Sequence, residues 1–344
     1  MTEPFIFVDF DTFEISKNDS QDSYFEPVID FIVSLKNENW TLQVKSSGST
    51  GIPKVFNFTK EQAIASAKIS NSFFGISKDS TLLLPLSIDF IAAKMLIFRA
   101  FEAQSKIYIQ KPNANPIQNL NQKIDFVSLS PYQVQCIIEQ NPNQFDLIKK
   151  CLIGGAAMHP KWIEKLNELH STCLFYESFG MTETLSHIAI KELLTENLGF
   201  KKLPEFQLTI NLEQQLIISH PIILPNPLIT NDIVEFLDSE HFIFMGRKDF
   251  IVNSGGIKIQ IETLENKLSE HIEFPFFLSK KNDERFGEIL VFCILKNEKM
   301  SEAQILELFH SMQISKYHIP KKIIRLDSFK YTLNGKIIRQ LEHY

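Results

Sequence analysis

Residues 46–58 read Ser46-Ser47-Gly48-Ser49-Thr50-Gly51-Ile52-Pro53-Lys54-Val55-Phe56-Asn57-Phe58, a glycine- and hydroxyl-rich loop feeding an apolar run. Glycine lets backbone N–H groups close around an anion where a Cβ would clash, and hydroxyls and an ammonium add further donors. Such a loop suits a polyphosphate; it also suits a flexible turn between two strands. The short Gly48–Gly51 spacing and Pro53 ahead of Lys54 set it apart from the G-x-x-x-x-G-K-[ST] nucleotide loop. Past it, the pattern predicts a strand from Lys54 to Phe58 and a helix from Lys60 to Phe74. Thr59, with Gln62 three residues on, provides a capping box for that helix.

Outward from this point strand-like runs recur at Thr81–Leu84, Lys106–Ile109, Asp125–Leu129, Leu147–Ile153 and Thr172–Phe175. Helical patterns at Asp89–Ala103, Pro131–Gln140 and Pro160–His170 lie between them. That alternation predicts parallel βαβ units in a doubly wound sheet, with ligands bound beyond the carboxyl ends of the strands. Gly154-Gly155 and the loop Tyr176–Glu183 fall at such ends. After Gly199 short hairpin strands predict a small β-rich subdomain, and beyond Arg247 a compact α+β pattern follows. The expected fold class is therefore α/β: a large α/β domain over 1–246 with a β-rich subdomain, and a small α+β domain over 247–344. Residues 1–44 match no pattern that places them.

A chain of 344 residues with 44% hydrophobic and 22% charged residues reads as globular. A net charge of -6 gives no electrostatic reason to expect a nucleic-acid partner. Cys136, Cys151, Cys173 and Cys293 form no C-x-x-C pair, which predicts free thiols in a reducing compartment. The start of the chain lacks the basic and apolar regions of a signal peptide, and Ile88–Ala103 is too short and too charged to span a bilayer. The expected location is cytoplasmic, without membrane insertion; the sequence is silent on oligomeric state.

Four further stretches carry chemistry. Gly154-Gly155-Ala156-Ala157 lets a flat ring lie against backbone, or serves as a tight strand-to-helix turn before Pro160. Tyr176–Thr184 offers an aromatic ring (Phe179), a hydroxyl (Thr182) and a carboxylate able to hold Mg²⁺ (Glu183), although Glu183 equally suits a surface helix start. Thr230-Asn231-Asp232 and Gly246-Arg247-Lys248-Asp249 supply an Asp and an Arg for ribose hydroxyls. Asn334-Gly335-Lys336-Ile337-Ile338-Arg339 puts a lysine on a glycine-flexed segment.

In this order the stretches resemble the class I adenylate-forming superfamily of acyl- and aryl-CoA ligases, peptide-synthetase adenylation domains and luciferases. Phe179–Glu183 is similar to its Tyr-Gly-x-Thr-Glu motif, with Phe for Tyr. Thr230–Asp232 is similar to its Thr-Gly-Asp, with Asn for a glycine whose backbone freedom Asn lacks. The resemblance implies that Ser46, Ser47, Gly48, Ser49, Thr50, Gly51 and Lys54 hold the ATP phosphates. It implies Gly155, Ala156 and Phe179 around adenine, Thr182 at the α-phosphate, Glu183 at Mg²⁺, and Asp232 and Arg247 at ribose. Lys336 becomes the catalytic lysine and Asp249 the hinge.

Within the superfamily this shortened chain resembles the o-succinylbenzoate–CoA ligases of menaquinone biosynthesis. That implies ATP, Mg²⁺ and coenzyme A acting on a small dicarboxylate, first as acyl-adenylate and then as thioester. Arg99 falls where that family places a cation for the non-reacting carboxylate, and Lys94 is the second choice; both also fit polar positions on an amphipathic helix. His187 suits the acyl pocket, a core or a surface. Another small acyl- or aryl-CoA ligase, or a non-catalytic adenylate-binding protein on the same fold, are the alternatives. Retention of Lys54, Glu183, Asp232, Arg247 and Lys336 together argues against the last.

Overall fold

The computed structural model describes residues 4–18, 23–45, 55–196, 199–312, 314–331 and 337–344. The expected phosphate loop, Ser46–Lys54, and Lys336 lie outside the described residues. The chain opens with a hairpin, β1 (Phe5–Asp9) and β2 (Glu14–Lys17), followed by α1 (Glu26–Ser34) and β3 (Thr41–Lys45). Next come β4 (Val55–Thr59), α2 (Lys60–Phe74), β5 (Thr81–Leu84), α3 (Ile91–Glu102) and β6 (Lys106–Gln110). The α/β alternation continues through β7 (Ile124–Leu129), α4 (Pro131–Gln140), β8 (Ile148–Ile153), α5 (Pro160–Glu168) and β9 (Leu174–Gly180). A run of strands follows: β10 (His187–Glu192), β11 (Phe200–Lys202), β12 (Gln207–Ile210), β13 (Gln215–His220), β14 (Leu224–Phe236) and β15 (His241–Arg247). The last part holds β16 (Ile251–Ser254), β17 (Ile257–Gln260), α6 (Ile261–Ser269), β18 (Phe276–Asp283), β19 (Gly287–Leu295), α7 (Glu302–Ser311) and β20 (Lys322–Leu326).

Local chemistry accounts for the helices. Thr59 and Gln62 satisfy each other's backbone N–H groups at the start of α2, as the sequence predicts. Ser130 with Gln133 and Ser301 with Gln304 repeat the device on α4 and α7. Each cap contributes about 1 kcal/mol. Strands β6, β5, β7, β8 and β9 pair in parallel in that spatial order. Their buried runs of Leu, Ile, Val and Phe suit a sheet covered on both faces. Buried residues of α2 and α3 share one core with Leu82, Leu84 and Phe126, while those of α4 and α5 share another with Leu83, Val127 and Leu129. The chain turns from β6 back across β5 to β7, so the order reverses there, and at such a switch point doubly wound sheets bind ligands beyond the carboxyl ends.

The β-rich run after Gly199 is present, and its strands hydrogen-bond onward from β9 through β10, β11 and β15 into one thirteen-stranded sheet. The opposite edge is closed by the N-terminal hairpin, with β1 antiparallel to β6. Ile6, Val8 and Phe10 alternate into the core there. This gives the opening residues a place that sequence pattern alone did not. A second sheet, β17-β16-β19-β18 with β20 beside β19, packs with α6 and α7 around its own apolar core. All four cysteines are free and buried. No helix among the described residues is long and apolar enough to cross a membrane.

Candidate active site

The segment expected to be a loop from Tyr176 to Glu183 is strand as far as Gly180, because β10 folds back antiparallel onto β9. A Cβ on Gly180 would lie 2.4 Å from the Ser186 carbonyl oxygen and 2.6 Å from the His187 Cα. Glycine here permits a reversal too tight for any other residue. Thr182 and Glu183 sit on the single helical turn between the strands, both half-buried. The Thr184 hydroxyl lies 2.9 Å from the Met181 carbonyl and 2.7 Å from that of Ser186, and accepts the Met181 N–H at 3.1 Å. Leu185, fully buried, is held at φ +64°, a left-handed conformation that costs an ordinary residue about 1–2 kcal/mol. The outcome is that Ser186 is turned toward α3.

There it meets Arg99. The guanidinium is 3% exposed, and its Nη2 donates to Ser186 Oγ at 2.9 Å and to His187 Nδ1 at 3.3 Å. Because arginine only donates, His187 Nδ1 must accept, which leaves the histidine proton on Nε2. Among the described residues, Arg99 Nε and His187 Nε2 are both buried without a hydrogen-bond partner, and no carboxylate pairs with Arg99. Burial lowers the Arg99 pKa to about 9, and burial with the arginine's charge pushes that of His187 well below its usual range. At neutral pH the pair is one cation and one neutral ring. Arg99 is therefore not a solvated position of an amphipathic helix; Lys94, half-buried on the same helix, has its pKa lowered by burial.

Across the carboxyl ends, Gly155 and Ala156 form an exposed shelf after β8, with Gly155 at φ +93° and open space where a Cβ would stand. That shelf fits a flat ring lying on backbone. It is anchored by Glu177, which the motif reading passed over: this buried carboxylate accepts the Met158 N–H at 2.8 Å. Burial raises the Glu177 pKa, opposed by that hydrogen bond and by Lys191. Phe179, half-buried, packs its ring against Phe200, Phe242 and Phe244 at 5.2–5.5 Å between centroids.

The third group lies where β14 and β15 pair, with Asp232 opposite Arg247. Arg247 Nη1 is 3.3 Å from the Asp232 carboxylate and Nη2 is 2.7 Å from that of Asp249. Burial alone would lower the Arg247 pKa; the Asp249 hydrogen bond and the charges of Asp232, Asp249 and Glu262 outweigh it and raise the value. Asn231 corrects an expectation. It lies in the extended strand β14, is not among the left-handed residues, and so needs no glycine-like freedom. Its amide instead donates to both oxygens of Asp249, at 3.0 and 3.2 Å. Among the described residues no group of three or more His, Cys, Asp and Glu could hold a metal by itself. Glu183 would have to share a cation with ligand oxygens, which is how Mg²⁺ is held beside phosphates.

Comparison with known proteins follows the same line. The family model described as "AMP-binding enzyme" matches residues 8–205. Curated 2-succinylbenzoate–CoA ligases of Staphylococcus epidermidis and Staphylococcus aureus are each 26% identical over 86% of this chain. The match spans 68% and 65% of those relatives, about two thirds of their length. A solved structure from Dyadobacter fermentans, described as an acyl-CoA synthetase (AMP-forming)/AMP-acid ligase II-like protein, aligns at 29% identity with a TM-score of 0.63. It covers 92% of this chain and 93% of its own. O-succinylbenzoate coenzyme A synthetase from Bacillus subtilis, in complex with ATP and magnesium, shares the fold at TM-score 0.78 and 19% identity, over 87% of this chain and 69% of that one.

Proposed function

The chain belongs to the AMP-binding enzyme family, and we propose that it is an ATP-dependent, AMP-forming acid–thiol ligase that joins o-succinylbenzoate to coenzyme A. One observation carries the choice of acid: a buried arginine without a carboxylate partner among the described residues lies against the turn that bears Glu183. A desolvated cation is costly until an anion meets it. An acid with two carboxylates offers one to react and one to neutralise Arg99, whose planar fork matches both oxygens. A monocarboxylate leaves the cation unmet. The names of the curated relatives support the same acid.

In this reading the Ser46–Lys54 loop holds the ATP phosphates, Gly155, Ala156 and Phe179 frame adenine, and Asp232 and Arg247 take the ribose hydroxyls. Thr182 binds the α-phosphate, and Glu183 is the protein's ligand for Mg²⁺, which neutralises phosphate charge when bound. A carboxylate oxygen attacks the α-phosphorus, and the bond to pyrophosphate breaks. Two anions must approach, so Lys336 acts by electrostatic stabilisation and positioning. The coenzyme A sulfur then attacks the acyl carbon, AMP leaves, and the thiol proton passes to solvent. Residues 247–344 turn about Asp249 between the two steps while 1–246 keep hold of the acid and nucleotide.

The test is pyrophosphate release with ATP and a panel of acids, followed by thioester formation on adding coenzyme A. We expect o-succinylbenzoate to exceed benzoate and fatty acids in kcat/KM by about 100-fold, the worth of a charge-assisted pair of about 3 kcal/mol. Equal use of monocarboxylates overturns the choice of acid. ATP binding without release for any acid overturns the ligase itself.

A further inference from the structure

The pairing of β13 with β14 slips where the candidate ribose carboxylate stands. Gln215 is opposite Ile233 and Ile217 is opposite Ile229, so Leu216 alone spans the stretch that Thr230, Asn231 and Asp232 fill on β14. A bulge of this kind re-aims side chains and interrupts the ladder. Thr230 and Asp232 are buried there, so their backbone groups need partners outside the regular pairing. Side chains supply them. The Thr230 hydroxyl donates to the Leu216 carbonyl at 2.9 Å and accepts the Asp232 N–H at 3.1 Å. The Thr230 carbonyl accepts a hydrogen from Gln215 Nε2 at 2.8 Å.

Gln215 does more than fill that gap. Its buried amide uses both of its hydrogens and both lone pairs. Nε2 also donates to Asn231 Oδ1 at 3.2 Å, while Oε1 accepts from Asn211 Nδ2 at 3.1 Å and from Lys248 Nζ at 3.4 Å. An ammonium only donates and a carbonyl only accepts, so the amide has a single orientation. The Gln215 backbone N–H donates to Asn211 Oδ1 at 3.0 Å, which ties the residue to the tip of the hairpin between β12 and β13. Lys248 is held beside it by Glu213 on the same tip, at 2.5 Å. From Gln215 the bonds run on through Asn231 Nδ2 to the Asp249 carboxylate. One buried side chain thus joins the hairpin tip, the bulge and the turn after β15, and a buried network with every member satisfied is rigid.

We propose that Gln215 is a positioning residue for nucleotide binding, holding the bulge in the geometry that offers the Asp232 carboxylate to the ribose hydroxyls. The proposal rests on the ligase reading above and extends it. Arg247 meets the Asp232 carboxylate from β15, whereas Gln215 acts on the backbone that carries it. Losing the amide leaves both charges in place and lets the carboxylate drift. Small misplacements of this kind remove a directional contact first. The loss should therefore fall on the part of ATP affinity that depends on the ribose hydroxyls, which a residue serving stability alone would not touch.

The experiment uses the full chain and two variants. Gln215→Glu keeps the volume and the acceptors for Asn211 and Lys248 but loses both donors; Gln215→Met loses them all. Binding of ATP and of 2′,3′-dideoxy-ATP is measured by calorimetry, with the thermal midpoint beside it. The parent should bind ATP about tenfold or more tightly than the dideoxy nucleotide, the worth of one charge-assisted bond. In Gln215→Glu that ratio should shrink about fivefold, through weaker binding of ATP while the dideoxy nucleotide binds as before. A lowered midpoint with the ratio at the parent's value overturns the proposal. Should Gln215→Met fail to fold, Gln215→Glu decides alone. A parent that binds ATP and the dideoxy nucleotide equally removes Asp232 from the ribose, and the proposal falls with that assignment. A parent that binds neither ends the ligase reading itself, and the proposal with it.

Discussion

Two arginines, one half-buried and one buried, face opposite electrostatic situations in this molecule. Arg247, at the end of β15, meets Asp232 and Asp249, and its pKa is raised despite partial burial. Arg99, buried on α3, meets a hydroxyl and a neutral imidazole, and burial drives its pKa down to about 9. The first is part of a network whose charges answer each other. The second is a charge whose answer is not in the described protein. Saturated networks fix geometry; an unanswered buried cation stores free energy that a ligand anion can release. In the proposed reading, the difference separates a residue that shapes the site from one that selects what enters it.

The sharpest way to break the comparison is Arg99→Met, which keeps a long apolar stem and removes the charge. KM for the dicarboxylate should rise about 100-fold or more, reflecting loss of a charge-assisted pair of about 3 kcal/mol, with KM for ATP little changed. Stability should move the other way. Ser186 can still donate to His187 Nδ1, 3.4 Å away, so little is orphaned. Removing a desolvated charge should leave the unfolding free energy unchanged or raise it by about 1 kcal/mol. Denaturant unfolding together with kinetics on o-succinylbenzoate checks both signs; a variant that unfolds more easily while keeping its KM would make Arg99 a structural residue.

Arg247→Ala is the counterpart. It leaves Asp232 and Asp249 as neighbouring carboxylates without their shared cation, at a cost of about 3 kcal/mol of stability. KM for ATP should rise about tenfold through loss of the proposed ribose contacts, and KM for the acid should hold. If this variant is as stable as the parent, the saturated network is decoration and the contrast with Arg99 collapses.

Much of this was legible beforehand, and the gaps have a common cause. The boundaries of α2, α4 and β5 follow from caps and apolar runs, which are local properties of the chain. Asp232 and Arg247 were singled out through motif order, and Arg99 through its place on a helix of the family the chain resembles. What escaped depends on partners distant in sequence. β1 closes an edge beside β6, about a hundred residues on. Glu177 props the Gly155 shelf from the next strand, and Gly180 is required by a backbone it meets only after the reversal. Ser186, the hydroxyl that receives Arg99, looks like any turn serine until β10 is folded back.

The smallest effect concerns Asn231, and it sharpens the hinge side of the comparison. The similar motif has glycine here, yet this residue is extended, so the substitution is not a conformational necessity. The side chain is held by Gln215, which donates to its oxygen at 3.2 Å, and it passes that order on to Asp249. A carboxylate gripped by both an amide and a guanidinium resists the backbone rotation a hinge requires. Asn231→Gly removes one grip while Arg247 keeps the other. The cost should be about 1–2 kcal/mol of stability from a lost bond to a charged group and added backbone freedom. If turning about Asp249 sets the rate of single-turnover thioester formation, as proposed, that step should speed up by about two- to threefold, with pyrophosphate exchange steady. Slower thioester formation would mean that Asn231 holds the hinge in a needed position rather than restraining it, and that the saturated network serves the second step as well as the first.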